Sequence, residues 1–371
     1  MKKTFALSLF ATGMLFATTL VSAQTINTEK ATLTLEKVAT GLEHPWGLAF
    51  LPDGSMLVTE RAGKLRRVNT DGSLSAPLAG LPDIEVSGQG GLFDVLLHPD
   101  FANNNKIYLS YNEPSSNGSS TAVILATLKE DRIADIQMIF SAAPKFSSRH
   151  HFGGRLAIQD NQYLFITLGD RGQRRDDAQT LDNHHGKVIR LHLDGSVPQD
   201  NPYVKNNAGL ADIWSHGHRN IQGAAIHPTS GQLWTHEHGP QGGDEINVAR
   251  ATYNYGWPVI TYGEEYGGGK IGQTAKDGME QPMHYWVPSI APSGMTFYLN
   301  DALPGWKNNL LVGSLRYLQL VRLELDGEKV THEERIMIGQ RIRDVRQGPD
   351  GAVYLLTDQA DGDILRLTAA K

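Results

Sequence analysis

Apolar and polar residues alternate along most of the chain in short runs, broken by glycine, proline, asparagine and aspartate. That is the pattern of brief strands joined by tight turns. Two distant stretches show it best: "WGLAFLPDGSMLVTERAGKLRRV" (46–68) and "RDVRQGPDGAVYLLTDQADGDILRL" (343–367). Each reads as a strand, a Pro-Asp-Gly turn, a strand ending in threonine and an acid, a short loop, and a strand ending in arginine and an aliphatic residue. Pro-Asp-Gly between two alternating runs marks a hairpin, because proline presets one turn dihedral and glycine supplies a positive one. The outline recurs more weakly at 91–111, 153–172, 222–239 and 293–314. Six units thus start at intervals of roughly 45 to 70 residues, as strand-rich propeller repeats do. One such blade cannot bury its faces alone, whereas blades stacked around an axis can. The pattern therefore predicts an all-β fold, a six-bladed propeller of four-stranded antiparallel blades. A spare strand at 33–42 ("LTLEKVATGL") is expected to close the ring by pairing with the last blade. An open two-sheet sandwich is the alternative, and it leaves six similar hairpins unexplained.

Composition narrows the class. The chain begins "MKKTFALSLFATGMLFATTLVSAQT": two lysines, an apolar stretch from Phe5 to about Val21, then small residues at Ser22 and Ala23. This reads as a secretory signal peptide over residues 1–23, with 24–371 as a single propeller domain in the periplasm. A membrane anchor is the other reading, but threonine and serine interrupt the stretch. No later segment reaches the roughly 18 apolar residues of a spanning helix. There are 0 cysteines, hence no disulfide framework, no lipid-modified cysteine and no thiolate metal site. A net charge of −6 without a basic block argues against a nucleic-acid partner.

In a propeller the inner strand ends converge on a central channel. The polar residues that break the apolar pattern fall near such ends: Gln89, His151, Asp170, Arg219 with Asn220, Gly239 with Pro240, Arg316, and Arg341 with Arg343. Around them eight short words occur in order: "SGQGGLFDVLLHPDF", "HHFGGRL", "LGDRG", "GHRNIQG", "EHGPQGGDEIN", "NYGWP", "APSGM" and "RIRDVRQGPDG". Together they resemble the soluble periplasmic quinoprotein aldose sugar dehydrogenases, relatives of soluble glucose dehydrogenase, from about residue 35 to the end. The resemblance implies a six-bladed propeller that binds pyrroloquinoline quinone (PQQ) and two Ca2+, one at the active site and one structural. It implies oxidation of the anomeric hydroxyl of an aldose to a lactone, with electrons passed to an external quinone, cytochrome or dye.

PQQ is a planar quinone bearing three carboxylates, and the planar fork of arginine matches carboxylates. Arg341 and Arg343 lie two apart, so on a strand they face one side. A solvated pair balanced by Asp344 and Asp350 is the plainer reading. The resemblance assigns both arginines to the cofactor, with Gln89, Asn220, Tyr266 and Arg316, the last where relatives usually carry lysine. Tyr266 falls where an aromatic covers the cofactor or the sugar. Arg219 is implied beside the reactive quinone carbonyl, where a cation would stabilise developing negative charge. A turn arginine pairing with Asp212 is its structural alternative. His151 falls on the family's catalytic histidine and His150 on its neighbour. A neutral imidazole, with a reference pKa near 6.5, can take a hydroxyl proton, and Asp170 would set its tautomer.

Calcium prefers oxygen ligands, backbone carbonyls included. By the same resemblance, the carbonyls of Gly239 and Pro240 hold the active-site Ca2+, and Glu245 with the backbone of Tyr255 holds the structural one. Glu245 could otherwise be a plain surface carboxylate. His236 and His238 alternate on a strand and suggest zinc, but no third ligand lies in register. Ser289 and Ser293 lie near the same rim without an assigned role.

Two other classes stand beside this one. A calcium-dependent propeller lactonase or esterase would need a channel cation but no arginine cage, which Arg219, Arg341 and Arg343 argue against. A non-enzymatic sugar- or partner-binding propeller would not need His151, Asp170 and Arg219. A nicotinamide enzyme is excluded by the lack of G-x-G-x-x-G between a strand and a helix. A monomer is expected, with a dimer as the alternative.

Overall fold

The computed structural model describes residues 23–370, so the expected signal peptide, apart from Ala23, lies outside the described residues. Among the described residues no helix is long and apolar enough to cross a membrane. The strands form six antiparallel sheets. Their innermost strands are Pro45–Phe50, Leu92–Leu97, Gly153–Gln159, Ile221–Ile226, Pro292–Phe297 and Ile342–Gln347, which head blades 1 to 6. Each inner strand packs against the next, and the sixth against the first, so the ring closes. The six-bladed propeller expected from the repeats is the observed fold. Blades 2 to 5 have four strands each. Blade 1 has a three-stranded ladder extended by one bridge from Val68 to Leu74. Blade 6 takes Thr32–Leu42 as an outer strand paired with Gly362–Ala369, and Gln24–Asn27 lies beyond it. The spare N-terminal strand therefore closes the ring as expected, covering an edge that blade 6 would otherwise expose.

The core is a set of layers between neighbouring blades, and the two-residue period of a strand feeds both sides of each blade. Leu311 faces blade 6, while its neighbours Leu310 and Val312 face blade 4. Ile107 and Leu109 face blade 1, while Tyr108 faces blade 3. Each such side chain contributes about 1.5–3 kcal/mol by its burial. A one-residue slip would exchange the two faces, so the register is strongly specified.

All six innermost strands carry a register irregularity at their leading ends, for example between Pro45 and Gly47, Gly153 and Leu156, and Ile342 and Asp344. Such a bulge bends the strand and re-aims its side chains. Just past these bends, blades 2, 3 and 6 place Asp94, Arg155 and Asp344 at equivalent positions. Arg155 reaches Asp94 at 3.2 Å and Asp344 at 3.1 Å. Arg346 reaches the same two carboxylates at 2.9 and 2.8 Å. A Cβ on Gly294 would come within 2.1 Å of Asp344 Oδ1, so this blade-5 position must be glycine for the carboxylate to fit. Two arginines and two aspartates thus join the blades where the inner strands meet.

Candidate active site

The bulged ends support the polar residues singled out above. His151 has a left-handed φ of 54° and is followed by Gly153 at 66°. Its backbone lies on Gly169, where a Cβ would be 2.3 Å from the His151 carbonyl oxygen. That contact explains the glycine in "LGDRG". His151 Nδ1 meets Asp170 Oδ1 at 2.6 Å. Asp170 is fully buried and takes two further hydrogen bonds: Gly172 N donates to Oδ1 at 2.7 Å and Trp257 Nε1 to Oδ2 at 2.7 Å. Burial alone would raise the Asp170 carboxyl, but His151, Arg219 and the Gly172 amide hold it below its ordinary value. Burial pushes the His151 imidazole down, and Asp170 only partly offsets this. The ring is therefore neutral near pH 7, with Nδ1 oriented by a carboxylate and Nε2 left to act. From behind, Arg171 fixes the loop by donating to the carbonyls of His150 at 2.9 Å and Ser148 at 2.8 Å.

Two cavities adjoin at Gln89, whose Oε1 accepts the His151 amide at 2.8 Å. The first, about 500 Å³, has walls from Trp46, Phe93 and Phe152. Asn220, Arg316, Arg341 and Arg343 line it too, together with Arg61 and Asp358, which sequence reading missed. Asp358 Oδ2 accepts from Arg341 at 3.0 Å and from Arg343 at 2.9 Å. Burial would raise its carboxyl, but the two guanidinium groups hold it well below the carboxylate range. Asp344 and Asp350, the sequence-level alternatives, are engaged elsewhere by Arg155, Arg346 and Arg366. Arg343 Nε is buried without a partner. Four arginines thus face one carboxylate in this cavity. The signal for Asp358 was in the repeat itself, since the strand there ends in threonine plus an acid.

The second cavity, about 470 Å³, is lined by His150, His151, Asp170, Arg219, Pro240 and Tyr266, among others. Tyr266, expected at the cofactor or sugar, is here, 74% exposed and away from the arginine-lined cavity. Arg219 does not pair with Asp212, which is taken by His184 at 3.2 Å. Its Nη1 donates to the carbonyls of His238 at 2.9 Å and Gly239 at 2.7 Å. Its amide donates to Glu237, which also accepts His218 Nδ1 at 2.9 Å, and His218 Nε2 meets Ser215 Oγ at 2.9 Å. This Ser–His–Glu chain mimics a hydrolase triad, but Ser215 and His218 are completely buried, and it serves to position Arg219.

Arg219 also borders a small cleft of about 10 Å³, room for a single water or ion, with Glu237, Gly239, Glu245 and Tyr255. Glu237 and Glu245 are cross-strand partners. Burial first, then Glu237 and Asp244, pushes the Glu245 carboxyl well above its ordinary value, and Asn247 Nδ2 donates to it only at a long 3.3 Å. Glu245 is half-buried and turned toward this cleft. Gly239 lines the same cleft as Glu245 and Tyr255, whereas Pro240 faces the larger cavity. The turn between them is held by Asp244, which accepts Gly239 N at 2.9 Å, Ser289 Oγ at 2.7 Å and Ala291 N at 2.9 Å. Ser293 donates to the Ile342 carbonyl at 2.6 Å, so both unassigned serines hold backbone or turn. Among the described residues no three histidine, aspartate or glutamate side chains are grouped to hold a metal, so a cation here would have to draw on backbone carbonyls.

The His151–Asp170 pair lies in a polar cavity at one end of the propeller, and the comparisons with known proteins give the class of enzyme, a redox one, that shares this fold. Residues 42–366 match the family described as Glucose / Sorbosone dehydrogenase. The chain is 47% identical to aldose sugar dehydrogenase YliI of Escherichia coli K12, covering 91% of this chain and 93% of that one. It is 30% identical to quinoprotein glucose dehydrogenase B of Acinetobacter calcoaceticus, covering 95% and 90%. Among solved structures it superimposes on the soluble aldose sugar dehydrogenase of E. coli in its apo form with a TM-score of 0.88 at 45% identity, covering 91% and 100%. The PQQ-bound aldose sugar dehydrogenase of Streptomyces coelicolor gives 0.76 at 27% identity, covering 92% and 99%. The chain belongs to the glucose/sorbosone dehydrogenase family and is an oxidoreductase.

Proposed function

We propose that this enzyme oxidises the anomeric hydroxyl of aldose sugars to lactones, using PQQ and Ca2+, and passes the electrons to an external acceptor. The observation that carries the reading is His151, oriented by Asp170 in the second polar cavity and bonded through its amide to Gln89, where that cavity adjoins the arginine-rich one. The first cavity suits a planar tricarboxylate: aromatic rings line it, four arginines face a single carboxylate, and Arg343 Nε lacks a partner. Arg341, Arg343 and Arg316 would hold carboxylates there, with Gln89 and Asn220 at the edge. The small cleft suits a cation, because Glu245 and Glu237 lie side by side in it and Glu245 has no basic partner among the described residues. Glu245 and the Tyr255 backbone would hold one Ca2+, and the Gly239–Pro240 turn the other. When bound, PQQ supplies the hydride acceptor and Ca2+ a Lewis acid that polarises it.

This chain's own groups do the rest. His151 Nε2 takes the anomeric proton, Asp170 keeps Nδ1 protonated and the ring aimed, and Arg219 offsets negative charge that develops beside it. The N-terminal stretch supports secretion to the periplasm. The test is reconstitution. Protein purified without PQQ should reduce a dye with glucose only after PQQ and Ca2+ are added, and turnover in the demonstrated absence of PQQ would end the proposal. His151→Gln should keep PQQ bound yet slow its reduction by roughly 10²- to 10⁴-fold, the worth of a positioned general base. His150→Gln should cost far less.

A further inference from the structure

The far wall of the second cavity carries an ion pair that the proposed chemistry does not use. Arg175 Nη1 donates to Glu265 Oε1 at 2.7 Å, with the two side chains 43% and 44% exposed. Both line the cavity that holds His151. They come from excursions of different blades. Arg175 opens the short helical turn Arg175–Gln179, whose Gln179 donates to the Trp257 carbonyl at 2.8 Å and whose Asp177 carbonyl accepts the buried Lys187 ammonium at 2.9 Å. Glu265 lies in a small hairpin bridged to Gln241, beside Pro240, and tipped by Gly267, Gly268 and Gly269, all at positive φ. The bases are anchored and the charged ends project into the cavity.

At the reacting end, Asp170 already takes three hydrogen bonds, Gln89 Oε1 serves the His151 amide, and Arg219 Nη1 serves two carbonyls. Among the described residues, no further partner is found for Arg175 Nη2 or Glu265 Oε2. The pair therefore presents one charged donor beside one charged acceptor. Two adjacent hydroxyls, each able to donate and accept, match that arrangement. An exposed pair of this kind adds little to stability.

We infer that Arg175 and Glu265 form a specificity subsite that grips a vicinal diol of the sugar, remote from the carbon that is oxidised. The inference rests on the reading of this cavity as the sugar pocket. It is tested on PQQ- and Ca2+-loaded enzyme by calorimetric titration with 1,5-anhydroglucitol, a glucose analogue without the oxidisable hydroxyl, and by steady-state kinetics with glucose. Arg175→Ala and Glu265→Gln should bind PQQ as the wild type does. Each should weaken 1,5-anhydroglucitol and raise KM for glucose by about 10- to 100-fold, the worth of a hydrogen bond to a charged group, with kcat little changed. A deoxy analogue lacking one hydroxyl of the gripped pair should bind wild type more weakly than the full sugar does, and the variants should discriminate against it less. Unchanged affinity in both variants overturns the inference while leaving the enzyme's proposed chemistry intact. Wild-type protein that binds neither PQQ nor the analogue sinks the parent reading, and this one with it.

Discussion

Arg343 and Arg346 lie three residues apart on one strand of blade 6, on either side of Asp344, and do opposite jobs. Arg346 joins Arg155, Asp94 and Asp344 in a network with equal numbers of cations and anions, each group within 3.2 Å of a partner. Arg343 shares a single carboxylate, Asp358, with Arg341, in a cavity that also holds Arg61 and Arg316. Desolvation of a charge is costly, and a closed network offsets that cost within itself. An unbalanced cluster leaves it to be offset by an anion from outside. Charge balance, rather than burial or arginine content, separates the structural group from the binding group.

The comparison breaks first at Arg155. Replacing it by methionine leaves two buried carboxylates to Arg346 alone and should cost about 3–5 kcal/mol of stability, read from urea unfolding. A loss below about 1 kcal/mol would mean that water screens the network. Arg343→Ala should instead keep a near-native unfolding midpoint and weaken PQQ by roughly 30- to 1,000-fold, or about 2–4 kcal/mol, and Arg341→Ala, whose side chain is 46% exposed, should cost less. An unfolded Arg343→Ala protein would erase the distinction.

Acid sharpens it. Asp358 has a folded pKa below its unfolded value of about 3.9, so its contribution is present above that pH and lost only as pH falls through the lower, folded value. PQQ affinity should therefore stay flat between about pH 5 and 8 as far as this cluster decides it. His151 is also lowered, by burial, and takes up a proton only below its reference value of about 6.5. Stopped-flow PQQ reduction should fall with acid below that point. A fall centred above it would show that the ring is not desolvated in solution. The smallest effect is expected at the exposed Arg316: alanine there should weaken PQQ by no more than about fivefold, and added salt should erase most of that difference.

Much of the fold was legible because its rules are local. Alternation specifies which residues face each neighbouring blade, and the Pro-Asp-Gly turn specifies where a strand reverses. The N-terminal strand showed itself as a run left over before the first repeat. His151 and Asp170 stood out as polar residues at strand ends, and the structure joins them at 2.6 Å. Tyr266 was harder, because it sits on a long excursion whose path no period encodes, and it lies with His151 rather than with the arginines.

The chain by itself determined six strand-rich units, their register, and the polar residues brought to one end of the ring. All of these follow from side-chain period and turn chemistry among near neighbours. Only the tertiary structure decided which charges are balanced and which are left over. Asp358, rather than Asp344 or Asp350, sits between Arg341 and Arg343. Trp257 reaches Asp170 across 87 residues, and Arg175 meets Glu265 across 90. Those pairings depend on where loops of unequal length return to the axis, and electrostatic partners are chosen by distance in space, which strand periodicity does not encode.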